Sequence, residues 1–153
     1  MWPYIIGIGL ALAVAFVGGA LTELGPWYEN LKKPSWQPPG FLFGPVWTVL
    51  FIMIGCSAAL AWMSAGPDAQ GTVVALFVIN AIFNMAWSGL FFKAKRPDWA
   101  FYEVIPFWIS IVVLIVALWP VSQTASWLLV PYAIWVAFAT YLNHTVARLN
   151  GFL

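Results

Sequence analysis

Residues 41–63, FLFGPVWTVLFIMIGCSAALAWM, contain no Asp, Glu, Lys or Arg over 23 consecutive positions. An α-helix needs roughly 20 apolar residues to cross a hydrocarbon core about 30 Å thick, so this stretch is long enough to span a bilayer. Four other runs share this character, and the five predicted spans cover about residues 4–24, 41–63, 72–92, 101–119 and 126–149. They do not alternate as transmembrane β-strands do. The sequence therefore predicts an all-α integral membrane protein, a bundle of five transmembrane helices.

The overall composition agrees with a membrane protein. The chain is 63% hydrophobic and only 7% charged, whereas an average soluble domain is roughly 25% charged. Its 153 residues fit a single domain covering residues 1–153. The net charge of +1 gives no reason to expect a nucleic-acid partner. A lone cysteine, Cys56, excludes an intramolecular disulfide.

The connection between the first two spans is longer than the others and unusual in composition. Residues 25–40 contain four prolines together with Trp27, Tyr28 and Trp36, which predicts a lid folded over one end of the bundle. All six basic residues follow the first or third span or lie at the C-terminal end of the fifth: Lys32, Lys33, Lys93, Lys95, Arg96 and Arg148. The positive-inside rule then predicts a cytoplasmic lid and C-terminus, with the N-terminus outside. The first span lacks the basic segment of a signal peptide and is expected to be retained.

Polar residues within the third span form one stripe. Asn80, Asn84 and Ser88 lie at i, i+4 and i+8. An amide in hydrocarbon is costly unless it is hydrogen-bonded, so this stripe must face protein or an internal cavity. Two interpretations are open: hydrogen bonds between helices, or the polar wall of a ligand cavity.

The last span presents a complementary face. At helical spacing it carries Tyr132, Trp135, Ala139, Leu142 and Asn143. A large ring, a small residue one turn later and then an amide would outline a pocket for a flat aromatic guest. Trp47 of the second span lies near the lid and is expected to contribute to the same pocket.

Conventional catalytic sites find little support in the sequence. No serine–histidine–acid set, cavity carboxylate pair or phosphate-binding glycine loop is evident. His144 is the only histidine, so no metal site is expected. Ionisable residues are missing from the centres of the spans, which disfavours a proton or ion relay. Glu23 and Glu103 are predicted to lie at the interface and to pair with lysines of the basic face.

Three blocks follow one another along the chain. They are WYENLKKPSWQPP at residues 27–39 with GPVWT at 44–48, FNMAWS at 83–88 with Phe91 and Phe92, and PYAIWVAFATYLN at 131–143. Together these blocks resemble the TspO/translocator protein family, the tryptophan-rich sensory proteins also called peripheral-type benzodiazepine receptors. The resemblance extends over essentially the whole chain, and its first and third blocks are specific.

The resemblance implies five tightly packed helices, commonly a homodimer, with a ligand cavity under the lid. The expected ligands are protoporphyrin IX or another tetrapyrrole, cholesterol, and small hydrophobic aromatic drugs; no further cofactor is expected, and membrane lipid surrounds the bundle. By resemblance, the residues lining the cavity would be Trp27, Tyr28, Pro38, Trp47, Asn84, Ser88, Trp135, Ala139 and Leu142.

Three functions stay open on the sequence. The first is a membrane protein that binds porphyrins and regulates tetrapyrrole handling or transport. The second is light- and oxygen-dependent degradation of protoporphyrin IX, for which the resemblance implies Trp47 and Trp135 as catalytic residues. The third is a transporter proper, which the absence of mid-membrane ionisable groups and of an inverted repeat disfavours.

Cholesterol is a poorer candidate than porphyrin. Animal members of the family carry a motif of Leu or Val, then Tyr, then Lys or Arg near the end of the last helix, and this type of motif is only a weak indicator. Here Leu142 and Arg148 flank His144 at the aromatic position. The departure favours a bacterial member that takes a porphyrin.

Overall fold

Five long helices make up the fold in the computed structural model, which describes residues 1–153. They are α1 (Trp2–Leu21), α3 (Phe43–Ser64), α4 (Pro67–Ser88), α5 (Pro97–Leu118) and α6 (Gln123–Leu149). The lid contains the four-residue helix α2 (Pro26–Glu29), and a 3-10 turn at Gly40–Leu42 leads into α3. All five long helices are long and apolar enough to cross a membrane. The prediction of an all-α bundle with five transmembrane helices is confirmed.

Proline begins several helices instead of interrupting the chain between them. Pro67 and Pro97 occupy the first turns of α4 and α5, and Pro3 does the same in α1. Proline suits this position because its missing N–H would have no intrahelical partner there. Asp68 and Asp98 follow in the same first turns, where the helix dipole favours negative charge. These helices therefore begin at residues 2, 67 and 97, earlier than the predicted 4, 72 and 101.

The core lies where α5 and α6 pack against α3 and α4. Its largest fully buried side chains come from α5 and α6 and include Phe107, Ile111, Leu114, Leu129, Tyr132 and Val136. The outward faces carry exposed apolar side chains such as Phe16, Val78 and Ile134. Lipid is as apolar as these side chains, so the outer faces need no polar cover. The chain is an integral, multi-pass membrane protein.

Helices α1 and α3 approach each other most closely at two glycines. A Cβ atom on Gly7 would lie 2.5 Å from the carbonyl oxygen of Gly55, and one on Gly55 would lie 2.6 Å from the Cα of Ile8. Glycine is required here because the neighbouring atoms belong to the backbone. Gly40 and Gly44 differ from this pair, because a Cβ at either position would meet nothing within 4 Å. Both glycines leave room for a cavity instead.

The two interfacial acids have different surroundings. Glu23 Oε1 lies 3.3 Å from Lys93 Nζ, so its predicted pairing with a lysine is confirmed. Both carboxylate oxygens of Glu103 are enclosed and have no hydrogen-bond partner. The predicted lysine pairing of Glu103 is wrong because its side chain, in the second turn of α5, faces protein instead of the basic loop.

A candidate ligand cavity beneath the lid

A cavity of about 490 Å³ lies beneath the lid, between α1, α3, α4 and α6. Small residues make room for it on α1, in the 3-10 turn and on α3, where Ala15, Gly18, Gly19, Gly40 and Gly44 lie along its wall. Ligand pockets in proteins generally measure about 300–1,000 Å³ and combine apolar walls with a few polar groups. The cavity therefore has the size of a small-molecule site.

Seven of the nine predicted site residues line this one cavity: Tyr28, Trp47, Asn84, Ser88, Trp135, Ala139 and Leu142. The other two, Trp27 and Pro38, are not among its lining residues. Trp27 lies edge-on to Phe91, with their ring centroids 6.3 Å apart, so it packs behind the wall. The structure thus brings residues from the lid, α3, α4 and α6 into a single site.

The polar stripe of α4 fits both interpretations considered from the sequence: it forms hydrogen bonds between helices, and it forms a polar wall of a cavity. Asn80 bonds between helices, since its amide donates to Ser110 Oγ at 3.0 Å and its carbonyl oxygen accepts from the Tyr132 hydroxyl at 3.0 Å. Asn84 donates to the same hydroxyl at 2.9 Å and also lines the cavity. Ser88 lines the cavity one turn further along. The hydrogen bonds of Tyr132 therefore fix the orientation of an amide in the cavity wall.

A second set of hydrogen bonds between α4 and α6 also supports the cavity wall. The indole N–H of Trp87 donates to Asn143 Oδ1 at 3.0 Å, and the Asn143 amide donates to the carbonyl of Pro97 at 2.9 Å. Both side chains line the cavity. Asn143 joins α4, α5 and α6, so the wall is held by bonds that are satisfied before any ligand enters.

Comparison with known proteins decides the family. The sequence profile of the TspO/MBR family matches residues 7–149, most of the chain. The chain belongs to the TspO/MBR family. The "Tryptophan-rich protein TspO" of Chlorobaculum tepidum is 44% identical over 146 residues, covering 94% of this chain and 92% of that protein. The human "Translocator protein" is 36% identical over 155 residues, covering 97% and 92%, and "Protein CrtK" of Rhodobacter capsulatus is 34% identical over 142 residues, covering 92% and 89%.

The cavity of this TspO/MBR protein is more aromatic than the sequence analysis predicted. Phe43, Phe51, Trp87, Phe91 and Phe92 also line it. Phe91 and Phe92 lie in a π-helical turn, Gly89–Lys93, that continues α4, and their ring centroids are 4.7 Å apart. Single π-turns are often found at functional sites. Phe91 was detectable, because it lies at i+7 from Asn84 on the stripe already identified.

The lid packs against α6 through an aromatic stack, and a hydrogen bond joins two parts of the lid itself. Trp36 stacks on Tyr141 with ring centroids 5.2 Å apart and contacts Phe138 edge-on. Gln37 Nε2 lies 3.4 Å from the Tyr28 hydroxyl, which links the two ends of the lid. The lid of this TspO/MBR protein is therefore packed over the cavity mouth along much of its length.

A second hollow of about 390 Å³ lies between α1, α3 and α4 and is almost entirely apolar. It shares only Phe51 and Asn84 with the cavity beneath the lid. Ala81 lies in the wall of the hollow, and Ala139 lies in the wall of the cavity. Each space of this TspO/MBR protein can therefore be filled separately by enlarging one alanine.

Proposed function

We propose that this protein binds porphyrins such as protoporphyrin IX, and related flat hydrophobic aromatic molecules, in the cavity beneath the lid, and thereby regulates how tetrapyrroles are handled or transported. One observation carries the proposal: a cavity of about 490 Å³ whose walls combine tryptophan and phenylalanine rings with a fixed amide at Asn84. A flat conjugated ring gains most from stacked or edge-on aromatic contacts. Membership of a family whose relatives are named sensory proteins and translocators supports a binding role.

The test is saturable quenching of tryptophan fluorescence by protoporphyrin IX in the dark, with the purified protein in detergent. Ala139→Phe places a ring in the cavity and should weaken binding by roughly tenfold or more, since each 1.4 kcal/mol lost is a factor of ten. Ala81→Phe adds the same ring to the second hollow and serves as the matched control. Absence of saturable quenching in the wild type, or equal affinity in wild type and Ala139→Phe, would contradict the proposal.

A second candidate function is the light- and oxygen-dependent degradation of protoporphyrin IX. Trp47 and Trp135 favour it, because both line the cavity and they meet edge to face with ring centroids 6.5 Å apart. Indole rings are oxidisable and could pass an electron to an excited porphyrin held against them. Loss of the porphyrin absorption bands only under illumination and only with air would support this activity.

For the arrangement in the membrane, we propose that the lid and the C-terminus face the cytoplasm. The contact between Lys93 and Glu23, and the bond between Lys32 N and Asn150 Oδ1, bring the lid, the loop after α4 and the C-terminal end of α6 to one end of the bundle. All six basic residues thus belong to segments at that end, as the positive-inside rule requires for the cytoplasmic side. Labelling of Ser35→Cys in intact cells by a thiol reagent that cannot cross the membrane would contradict this orientation. The homodimer stays a prediction.

A further inference from the structure

Lys33 is the only charged residue among those that line the cavity. It belongs to the lid and is partly buried. Its Nζ donates to the carbonyl of Tyr28 at 2.7 Å and lies 3.4 Å from the carbonyl of Leu31. The same ammonium lies 4.4 Å from the centre of the Tyr28 ring, within the range of a cation–π contact. These three contacts hold a positive charge at the mouth of an otherwise apolar space.

This positive charge has no anionic partner in the protein. The two ion pairs of the structure are Lys93–Glu23 and Arg96–Asp98, and no acidic residue lines the cavity. A lysine ammonium has three N–H donors, and two backbone carbonyls account for two of them. A charge partly removed from water is stabilised most by an opposite charge that also accepts a hydrogen bond. The third donor of Lys33 is therefore suited to an acid that arrives with the ligand.

We propose that Lys33 binds a carboxylate of the ligand, so that the cavity selects molecules with a flat apolar body and a carboxylate at one edge. The proposal rests on the proposed porphyrin-binding function and assigns it a chemical requirement. Protoporphyrin IX meets that requirement, because its two propionates lie on one edge of a ring whose other substituents are apolar. The ring would contact the aromatic walls while a propionate reaches the lid. Neutral aromatic ligands would bind through the walls alone.

Protoporphyrin IX and its dimethyl ester separate these two contributions, since the ester keeps the ring and removes both negative charges. Dissociation constants for both are measured in the dark, at low ionic strength, for protein in zwitterionic nanodiscs. Three variants are compared with the wild type: Lys33→Gln, Lys33→Arg and Lys32→Gln. The last removes the same charge from the same loop at an exposed position that does not line the cavity. Using the variant-to-wild-type ratio for each ligand cancels differences in how the two ligands partition into lipid.

Lys33→Gln should weaken binding of the free acid by roughly tenfold, as expected for one charge-assisted hydrogen bond, and leave binding of the ester unchanged. Lys33→Arg should largely restore binding of the acid, and Lys32→Gln should bind both ligands as the wild type does. Unchanged ester binding would also show that the Gln variant keeps its cavity.

Two results would overturn the inference, and they are distinct from failure of the proposed function. If Lys33→Gln weakens acid and ester equally, Lys33 only holds the lid in place. If it weakens neither, the carboxylate does not contact this residue. In both cases the wild type still binds porphyrin, and the proposed function stands. If the wild type binds neither ligand saturably, the proposed function fails and this inference fails with it.

Discussion

The backbone of Lys32 and the side chain of Asn150 exchange two hydrogen bonds. The Lys32 N–H donates to Asn150 Oδ1 at 2.8 Å, and Asn150 Nδ2 donates to the Lys32 carbonyl at 2.9 Å. The same Nδ2 also lies 2.8 Å from the carbonyl of Val146, a residue of the cavity wall. One side chain just after α6 therefore ties the lid to the helix that forms much of the cavity.

Asn150→Ala should loosen the lid without unfolding the bundle. Two lid hydrogen bonds are lost, each with a net contribution of about 0.5–1.5 kcal/mol, so porphyrin affinity should fall several-fold. Trypsin should also cut more quickly after Lys32, measured against intact protein over time. Asn30→Ala is the matched control, because Asn30 is an exposed asparagine of the lid. If Asn150→Ala and Asn30→Ala behave alike in both assays, the hydrogen bonds of Asn150 do not hold the lid.

Gly55→Ala should destabilise the protein through the contact between α1 and α3. The added methyl would lie 2.6 Å from the Cα of Ile8, and a backbone atom cannot move aside as a flexible side chain can. Overpacking of this kind costs about 1–3 kcal/mol, which should appear as a lower Tm for thermal unfolding in detergent. The control is Gly9→Ala, where a Cβ meets nothing within 4 Å. A Tm for Gly55→Ala equal to that of the control would show that the two helices are free to separate.

Removal of the Tyr132 hydroxyl should lower the stability of the protein by more than the loss of one oxygen atom suggests. Tyr132→Phe leaves Asn80 Oδ1 and Asn84 Nδ2 without the partner they share, and both amides are buried. Each unsatisfied buried group costs about 1–3 kcal/mol, so Tm should drop clearly. Tyr141→Phe is the control, because Tyr141 is 62% exposed.

Porphyrin binding should weaken in Tyr132→Phe as well, although Tyr132 does not line the cavity. The reason is that its hydroxyl fixes the side chain of Asn84, which does line it. If Tyr132→Phe binds with wild-type affinity, the orientation of the Asn84 amide does not matter for the ligand.

The number of helices and most of the site were predictable because a lipid bilayer permits very few backbone structures. A charge-free run such as residues 41–63 has one stable form in a bilayer, a helix, so the composition alone indicates the architecture. Helical periodicity then placed Asn84 and Ser88 on one face, and Trp135, Ala139 and Leu142 on another. The structure brings these five residues to the same cavity.

The features that escaped prediction depend on contacts between distant segments. Trp27 was expected in the cavity, but only the folded lid determines that it packs behind Phe91. The charge of Lys33 was used to predict the orientation in the membrane, but its place in the cavity lining was not predicted. That place depends on the lid carbonyls to which its ammonium donates. The enclosure of Glu103 likewise depends on how α5 packs within the bundle.

Two pairs of tryptophans in similar geometry allow a direct test of the degradation activity. Trp47 and Trp135 lie in the cavity with ring centroids 6.5 Å apart and planes at 88°. Trp119 and Trp127 lie outside it, with centroids 6.1 Å apart and planes at 66°. If the indoles of Trp47 and Trp135 pass electrons to a bound, excited porphyrin, Trp47→Phe with Trp135→Phe should abolish light-dependent loss of protoporphyrin IX. The double variant of the outer pair should retain it.

Phenylalanine keeps the aromatic wall but is harder to oxidise, so dark affinity for protoporphyrin IX should stay within a few-fold of the wild type in both double variants. Binding must be measured separately from degradation, because a variant that cannot hold porphyrin would also fail to degrade it. Absorbance under illumination in air, at porphyrin concentrations that saturate each variant, measures the rate. Equal rates in the two double variants would mean that Trp47 and Trp135 do not carry out the degradation.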